Sequence, residues 1–413
     1  MYASGCGRQD GGLTIKEGGQ LLHNSLGVNL WATVEKSISH YTVASGAGSS
    51  NGWYFIASPI YTGFTPDATM LSNTYDLYRL NGNTWENFKA HDEFTELVRG
   101  QGYLYANNTD VTLKFTGHLI PYKSVVANHT NRVNVYDGWN LMGNPFVCNA
   151  YASQPYYKMN AARTGIVAVE DYWNTDNYIA PCTGFVVHAD ADGAVWLTHT
   201  PPEATASSDH GSLQIALAQA TNERSAEQID NAIVSFNEGI KLEKFYFGEQ
   251  AANIFIPQNG DEYAIAFSNR QDEVPVNFKA NETGTYTINF DGTDLNNIKL
   301  IDKFENLVID LNENNSYTFM GSPADNRYRF VIVFKSSELS DNSEIFAYQN
   351  GNGNIIVNGD GTLQVFDMLG RKLFSREIHS DFSLPTSDFS ASGVYVLRLI
   401  QGDKVNTQKM VIE

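Results

Sequence analysis

The chain has 413 residues, enough for roughly three domains at about 100–200 residues each, every one long enough to bury its own core. Lysine and arginine total 27 against 46 acidic residues, a formal net charge of −19, which argues against DNA, RNA or an anionic membrane surface as partner. Only 18% of residues are charged, while Gly and Tyr are plentiful, a balance that suits an exported β-protein better than a cytosolic enzyme.

The N-terminus, Met1-Tyr-Ala-Ser-Gly-Cys6, lacks the basic region and apolar core of a signal peptide. No stretch of eighteen apolar residues exists, so no spanning helix is expected. Leu13–Leu21 and Val34–Ile38 read as the end of a β-rich region, residues 1–45, whose beginning is absent. The chain is therefore expected to be a piece of a longer protein. Three cysteines are too few for a disulfide scaffold. Cys148 and Cys182 either pair or stay as free, partly buried thiols, and geometry decides between the two.

An internal repeat follows. Gly52-Trp-Tyr-Phe-Ile-Ala-Ser-Pro-Ile60 recurs as Gly138-Trp-Asn-Leu-Met-Gly-Asn-Pro-Phe146, and Gly102-Tyr-Leu-Tyr-Ala-Asn107 recurs as Gly184-Phe-Val-Val-His-Ala189. The period, 82 to 86 residues, is too long for a solenoid turn and predicts two tandem β-modules, 46–125 and 126–200. Each Gly-Trp strand ends at a proline, Pro59 or Pro145, which cannot donate to a ladder. Asn81-Gly82 predicts a hairpin between Tyr75–Leu80 and Thr84–Phe88. Trp53 and Trp139, at equivalent positions, are expected in the module cores.

Residues 201–212, rich in Pro and small polar side chains, read as a linker, and 336–344 as a second one. Between them, 213–335 carries many short strands about 8 to 12 residues apart, the pattern of a β-sandwich or jelly roll. Gln219–Asp230 is the one stretch suited to a short helix or loop excursion.

Enzyme signatures are missing from the sequence: no GxSxG elbow, HExxH helix, Walker loop or dinucleotide fingerprint. The nine histidines show no metal-ligand spacing. Neither a catalytic nor a cofactor-binding residue is assigned, and no metal ligand. Asp190-Ala-Asp-Gly193, Asp291-Gly-Thr-Asp294 and Asn358-Gly-Asp-Gly361 offer oxygens suited to calcium, but hairpin turns use the same residues, and turn chemistry is preferred. Tyr172-Trp-Asn-Thr-Asp-Asn-Tyr178 fits a sugar-stacking loop, with Tyr172, Trp173 and Tyr178 as candidate rings. The competing reading puts Trp173 in the module core, and it is the favoured one.

The chain ends in Gly361-Thr-Leu-Gln-Val-Phe-Asp-Met-Leu-Gly-Arg-Lys-Leu-Phe-Ser-Arg-Glu-Ile378, then Ser392-Gly-Val-Tyr-Val-Leu-Arg-Leu-Ile-Gln-Gly402, then Lys409-Met-Val-Ile-Glu413. Alternation puts Val365, Asp367 and Leu369 on one face of a strand and Phe366 and Met368 on the other, before a turn at Gly370. Residues 341–413 read as a small antiparallel, Ig-like β-sandwich. This segment resembles the type A C-terminal sorting domain of proteins exported by the type IX secretion system of Bacteroidetes. The motif residues are Asp367, Gly370, Arg371, Gly393, Tyr395, Arg398 and Lys409. Residues 46–200 also resemble a recurrent region of large Bacteroidetes surface proteins, upstream of their sorting domains.

The resemblance implies an address, extracellular or at the outer-membrane surface, with the secretion machinery as partner. The expectation for the whole is an all-β, multi-domain chain: tandem β-sandwich-like modules, a β-sandwich or jelly roll, and the Ig-like terminal domain. Its function is read as non-enzymatic adhesion or binding, with glycans or surface proteins as candidate partners and no cofactor. The alternative is a carbohydrate-binding accessory region of a larger secreted hydrolase.

Overall fold

A computed structural model of the chain describes residues 12–22, 30–41, 52–81, 84–119, 125–127, 136–200, 211–221, 224–247, 251–269, 273–292, 298–334, 346–349, 354–357, 359–379, 382–389, 393–402 and 404–412. The architecture is all-β. Among the described residues the sole helical element is a single 3-10 turn at Thr386–Asp388. The chain forms two compact units. The first comprises Met1–His210 with Gln228–Asp230 and Ile240–Phe247, and the second comprises the remainder. The readings placed on residues 201–210 and 336–344, on Cys6, and on the turn residue Gly82 lie outside the described residues.

The first unit contains β1 (Leu13–Ile15), β2 (Leu30–Ile38), β3 (Tyr54–Ala57), β4 (Tyr75–Asn81), β5 (Thr84–Asn87), β6 (Gly102–Asn107), β7 (Val111–Leu119), β8 (Val125–Ala127), β9 (Trp139–Gly143), β10 (Tyr151–Ala152), β11 (Tyr156–Met159), β12 (Ile166–Val169), β13 (Gly184–His188) and β14 (Val195–Thr198). They pair as β1-β2-β7, β3-β6-β4-β5, β12-β11-β13-β9 and β10-β14-β8. A domain boundary at residue 45 does not hold. β2 runs antiparallel to β7 along its whole length, from Leu30 opposite Leu119 to Ile38 opposite Val111. Both strands alternate, so Ala32, Val34, Leu113 and Phe115 meet in one core while their neighbours face water.

Each Gly-Trp segment contacts the other copy at an equivalent place. Ala57 N–H donates to Cys182 O (3.1 Å), and Gly143 N–H donates to Gly100 O (2.9 Å). Ile56 bridges Thr183 in the same way that Met142 bridges Gln101. The approach is close enough that a methyl on Gly102 would lie 2.4 Å from Met142 O, and one on Gly143 would lie 2.5 Å from Ala57 Cβ. Glycine at these positions is a packing requirement, independent of backbone angle. Trp139 is buried as expected, but Trp53 is only half-buried, because different aromatic neighbours surround them. Trp139 meets Phe245, Tyr157 and His188, whereas Trp53 meets Tyr78 at a longer 6.1 Å.

Phe245 belongs to a segment that sequence spacing counts with the middle domain. Its neighbour Lys244 reaches both carboxylate oxygens of Asp230, at 2.6 and 2.7 Å, in a site almost wholly closed to water. The Tyr157 hydroxyl donates to Glu243 O (2.8 Å) and accepts from Phe245 N–H (3.1 Å).

The second unit begins with β15 (Ser212–Thr221) and β16 (Arg224–Ser235); β17 (Leu242–Glu243) lies in the segment just described. It continues with β18 (Asn253–Gln258), β19 (Asp261–Phe267), β20 (Glu273–Lys279), β21 (Gly284–Gly292), β22 (Ile298–Asp302), β23 (Leu307–Asp310), β24 (Ser316–Gly321) and β25 (Phe330–Phe334). The order is β23-β22-β25-β20-β18-β19-β16-β15-β21-β24. The helix or loop expected at Gln219–Asp230 is instead the end of β15 and the start of β16. Helix-favouring Glu and Gln here are a weak local preference, and the pairing of β15 with β16 overrides it. Asp302 and Arg329 form a buried fork, with Nε 3.0 Å from both carboxylate oxygens, beneath Tyr317, Phe304 and Phe319.

The chain ends with β26 (Ala347–Gln349), β27 (Asn354–Val357), β28 (Gly361–Asp367), β29 (Lys372–Ile378), β30 (Phe382–Pro385), β31 (Gly393–Gln401) and β32 (Lys404–Ile412). They form two sheets, β26-β27-β30 and β29-β28-β31-β32. Ile355, Val357, Leu363, Val365, Leu384, Leu397 and Leu399 share one core.

Candidate functional site

The aromatic loop 172–178 follows β12 and is braced by its own short polar side chains. Asn174 donates to Asp171 Oδ2 (3.2 Å), Asp176 N–H donates to Asn174 Oδ1 (3.0 Å), and the Tyr156 hydroxyl donates to Asn177 O (2.7 Å). Tyr172 and Trp173 meet edge to face, 4.9 Å apart at 73°, so together they present no continuous flat platform. Tyr172 leans on the module core, Trp173 is half-buried, and Tyr178 is exposed.

At the Asp190–Gly193 loop, Asp190 Oδ1 lies 2.9 Å from His188 Nδ1, and Gly193 sits at φ 72° in a tight turn. Cys148 and Cys182 are free thiols buried in different cores, which resolves the pairing question. Burial pushes the Cys148 thiol up to about 11 and the Cys182 thiol further still. Sequence spacing misses one cluster that the fold assembles: Glu86, His91 and Glu93 bring their ligand atoms within 4.8 Å of one another. Glu86 already accepts from Arg79 Nε (2.7 Å) and Asn81 Nδ2 (2.8 Å), so its oxygens are engaged in holding the β4–β5 hairpin.

The C-terminal motif is a self-closing turn. Asp367 ends β28, and its Oδ1 accepts from the amides of Leu369 (3.0 Å) and Arg371 (2.9 Å). Its Oδ2 accepts from Arg371 Nε (2.7 Å). The backbone closes over it, with Gly370 N–H donating to Asp367 O (2.9 Å) and Asp367 N–H to Arg371 O (3.0 Å). Gly370 has φ 76°, and a methyl there would meet nothing within 4 Å; backbone conformation alone demands glycine. Desolvation raises the Asp367 pKa, but the Arg371 side chain and the Arg371 and Leu369 amides outweigh it and hold the carboxyl below the usual range. The strand expected through Leu369 stops at Asp367. Met368 and Leu369 lie in the turn, 60% and 80% exposed, because the carboxylate captures the amides that a ladder would use.

The remaining motif residues divide between the two faces of a sheet. On β31, Tyr395 is buried against Phe389 (4.8 Å) with Leu397 and Leu399, while Arg398 faces out. Arg398 stands opposite Gln364 on one side and Thr407 on the other. Lys409 is exposed opposite Val396, and Gly393 opposes Ile412. Gln408 was not among the sequence candidates. Its side chain accepts from Phe346 and Ala347 N–H (3.1 and 3.0 Å) and donates to Ala347 O (2.6 Å), which ties β26 to β32. The available signal was a glutamine at a position where β32 alternation puts Asn406, Met410 and Ile412 inside.

Residues 349–413 match the family described as the secretion system C-terminal sorting domain. This segment is a sorting domain. Within it the buried Tyr395 packs in the sandwich core, while Arg371, Arg398 and Lys409 remain outside. The sorting domain directs export to the cell surface or the extracellular space. No helix among the described residues is long and apolar enough to cross a membrane. No curated protein matches the chain. Among solved structures it is similar to the BSP domain of a biofilm associated protein, at 10% identity and a TM-score of 0.17. The alignment covers 95% of this chain, which spans 65% of that one.

Proposed function

We propose that the chain is a non-enzymatic binding protein, displayed at the cell surface or released, with 46–200 as a duplicated binding module. The sorting domain at residues 349–413 carries this reading, since it places the chain's working environment outside the cell. Support also comes from the first unit, where Trp31 and Trp196 on strands and Tyr61 and Tyr178 in loops remain exposed. Surface proteins and glycans are the partners this reading points to. The exposed rings favour the second reading, a carbohydrate-binding region serving a larger secreted hydrolase.

The test is to fractionate the native organism and locate the protein with an antibody to residues 213–335. A surface or medium location, lost in a strain whose copy stops at residue 345, supports the reading. A cytosolic location for the full-length protein overturns it. Attachment of the producing cells to glycan- or protein-coated surfaces, compared with a deletion strain, then tests the binding role.

A further inference from the structure

Outside the sorting domain, the first unit leaves one sheet face whose composition specifies a ligand. β2 and β7 turn Ala32, Val34, Leu113 and Phe115 inward, so the opposite face carries Trp31, Thr33 and Glu35 from β2 and Lys114, Thr116 and His118 from β7. The register places them side by side: Trp31 opposite His118, Thr33 opposite Thr116, Glu35 opposite Lys114. Thr14 of β1 extends the central row beside Thr33. Across the other edge of β7, Tyr61 N–H donates to His118 O (3.0 Å). Ile60 is buried against Gly117, and Tyr61 projects to solvent.

Two residues with large exposed rings therefore neighbour His118, Trp31 (47% exposed) through the strand register and Tyr61 (56% exposed) through its backbone hydrogen bond. The His118 ring meets Trp31 edge-on, 4.7 Å away at 90°, which limits the orientations open to the indole before any ligand arrives. Beside the rings runs a row of hydroxyls, in which Thr33 and Thr116 share a hydrogen bond of 2.9 Å. The only charges in this set, Glu35 and Lys114, stand 3.8 Å apart and cancel.

We propose that this face binds a neutral polysaccharide, with Trp31 and Tyr61 stacking on pyranose C–H faces and the threonine row meeting sugar hydroxyls. An apolar protein surface laid here would leave the second hydroxyl proton of the Thr33–Thr116 pair without an acceptor. A polyanion would meet a locally neutral face on a chain of net charge −19. A ligand with alternating C–H faces and hydroxyls satisfies both parts of the face. Trp and Tyr suit the task because they offer rigid area with little rotamer entropy to lose. The proposal rests on the reading of the chain as a binding protein outside the cell and names its ligand class.

Electrophoresis of the purified chain through native gels containing starch, mixed-linkage β-glucan, xylan or galactomannan tests it, with alginate as the anionic comparison. Retardation in at least one neutral gel is expected, with affinity reduced about tenfold by Trp31→Ala or Tyr61→Ala, the size of one lost stacking contact. Both side chains are exposed, so circular dichroism should be unchanged. Trp173→Ala and Tyr178→Ala should leave the retardation intact. The proposal is overturned by migration unaffected in every neutral gel, by retardation in alginate alone, or by loss through Trp173 and Tyr178 with Trp31→Ala still binding. Export, read by fractionation, is independent of all these outcomes.

Discussion

The two Gly-Trp segments have nearly the same sequence pattern and make equivalent hydrogen bonds to the other copy, yet the copies differ wherever the contact is tightest. Ala57 in the first corresponds to Gly143 in the second. A second methyl there would collide with Ala57 Cβ at 2.5 Å, so only one of the two positions can carry one. Gly100 in the first corresponds to Cys182 in the second. Both have positive φ, 83° and 56°, but only the cysteine carries the penalty of a side chain in that region, about 1–2 kcal/mol. Cys182 is fully buried in the core and fills space that glycine would leave empty. Trp53 is half open while Trp139 is sealed by Phe245, from a segment a hundred residues further along. A duplicated local pattern thus accepts different neighbours on its two copies.

That asymmetry can be broken in a graded way. Lys244→Ala should have the largest effect, about 3–5 kcal/mol, because it leaves Asp230 buried without its cation. Denaturant unfolding of the full chain measures it, and the apolar pair Asp230→Leu with Lys244→Met should recover much of the loss. Phe245→Ala should cost about as much, roughly 3–5 kcal/mol, and should shift Trp139 emission to the red while Trp53 is unchanged. A blue or unshifted spectrum would mean that Phe245 does not seal Trp139.

Gly143→Ala should cost about 1–3 kcal/mol from overpacking. Adding Ala57→Gly should restore part of that, with Gln101 O, also 2.5 Å away, limiting the rescue. Additive effects in this double-mutant cycle would show that the two positions do not meet. Gly370→Ala, in the second unit, should cost about 1 kcal/mol through the turn backbone alone. The same turn has a pH signature. The folded carboxyl of Asp367 titrates below its unfolded value, so its contribution is present above about pH 4 and disappears as pH falls through the folded pKa. The stability difference between the native chain and Asp367→Asn should therefore shrink on acidification. The smallest effect is expected from Cys182→Gly, within about 1 kcal/mol, where relief of backbone strain offsets the lost packing. Neither Cys148 nor Cys182 should react with a thiol reagent at pH 8 until the chain is unfolded.

Where the sequence reading succeeded, the determinants are close together in the chain. The all-β class follows from alternation within strands and from turn residues between them. The sorting domain was legible because its motif residues, among them Asp367, Gly370, Arg371 and Tyr395, lie close together in the chain and carry the family resemblance. Where it fell short, the partner is remote. Residues 1–45 looked like a leftover because nothing in their pattern shows that β2 pairs with β7, some eighty residues later. The aromatic residues were judged by local richness, which selected Tyr172, Trp173 and Tyr178. Of these Tyr178 is exposed, and so are Trp31 and Tyr61, thirty residues apart in the chain, which the sequence did not single out.

By itself, then, the sequence determined strand content, because period-two alternation depends on residues a few positions apart, and its C-terminal motifs carried the family resemblance that implies the export address. Only the tertiary structure decided that Cys148 and Cys182 stay apart in separate cores, that Phe245 covers Trp139 and not Trp53, and which aromatic rings remain open to a ligand. Burial is set by whatever segment arrives to cover a side chain, and in a sheet protein that segment comes from far along the chain.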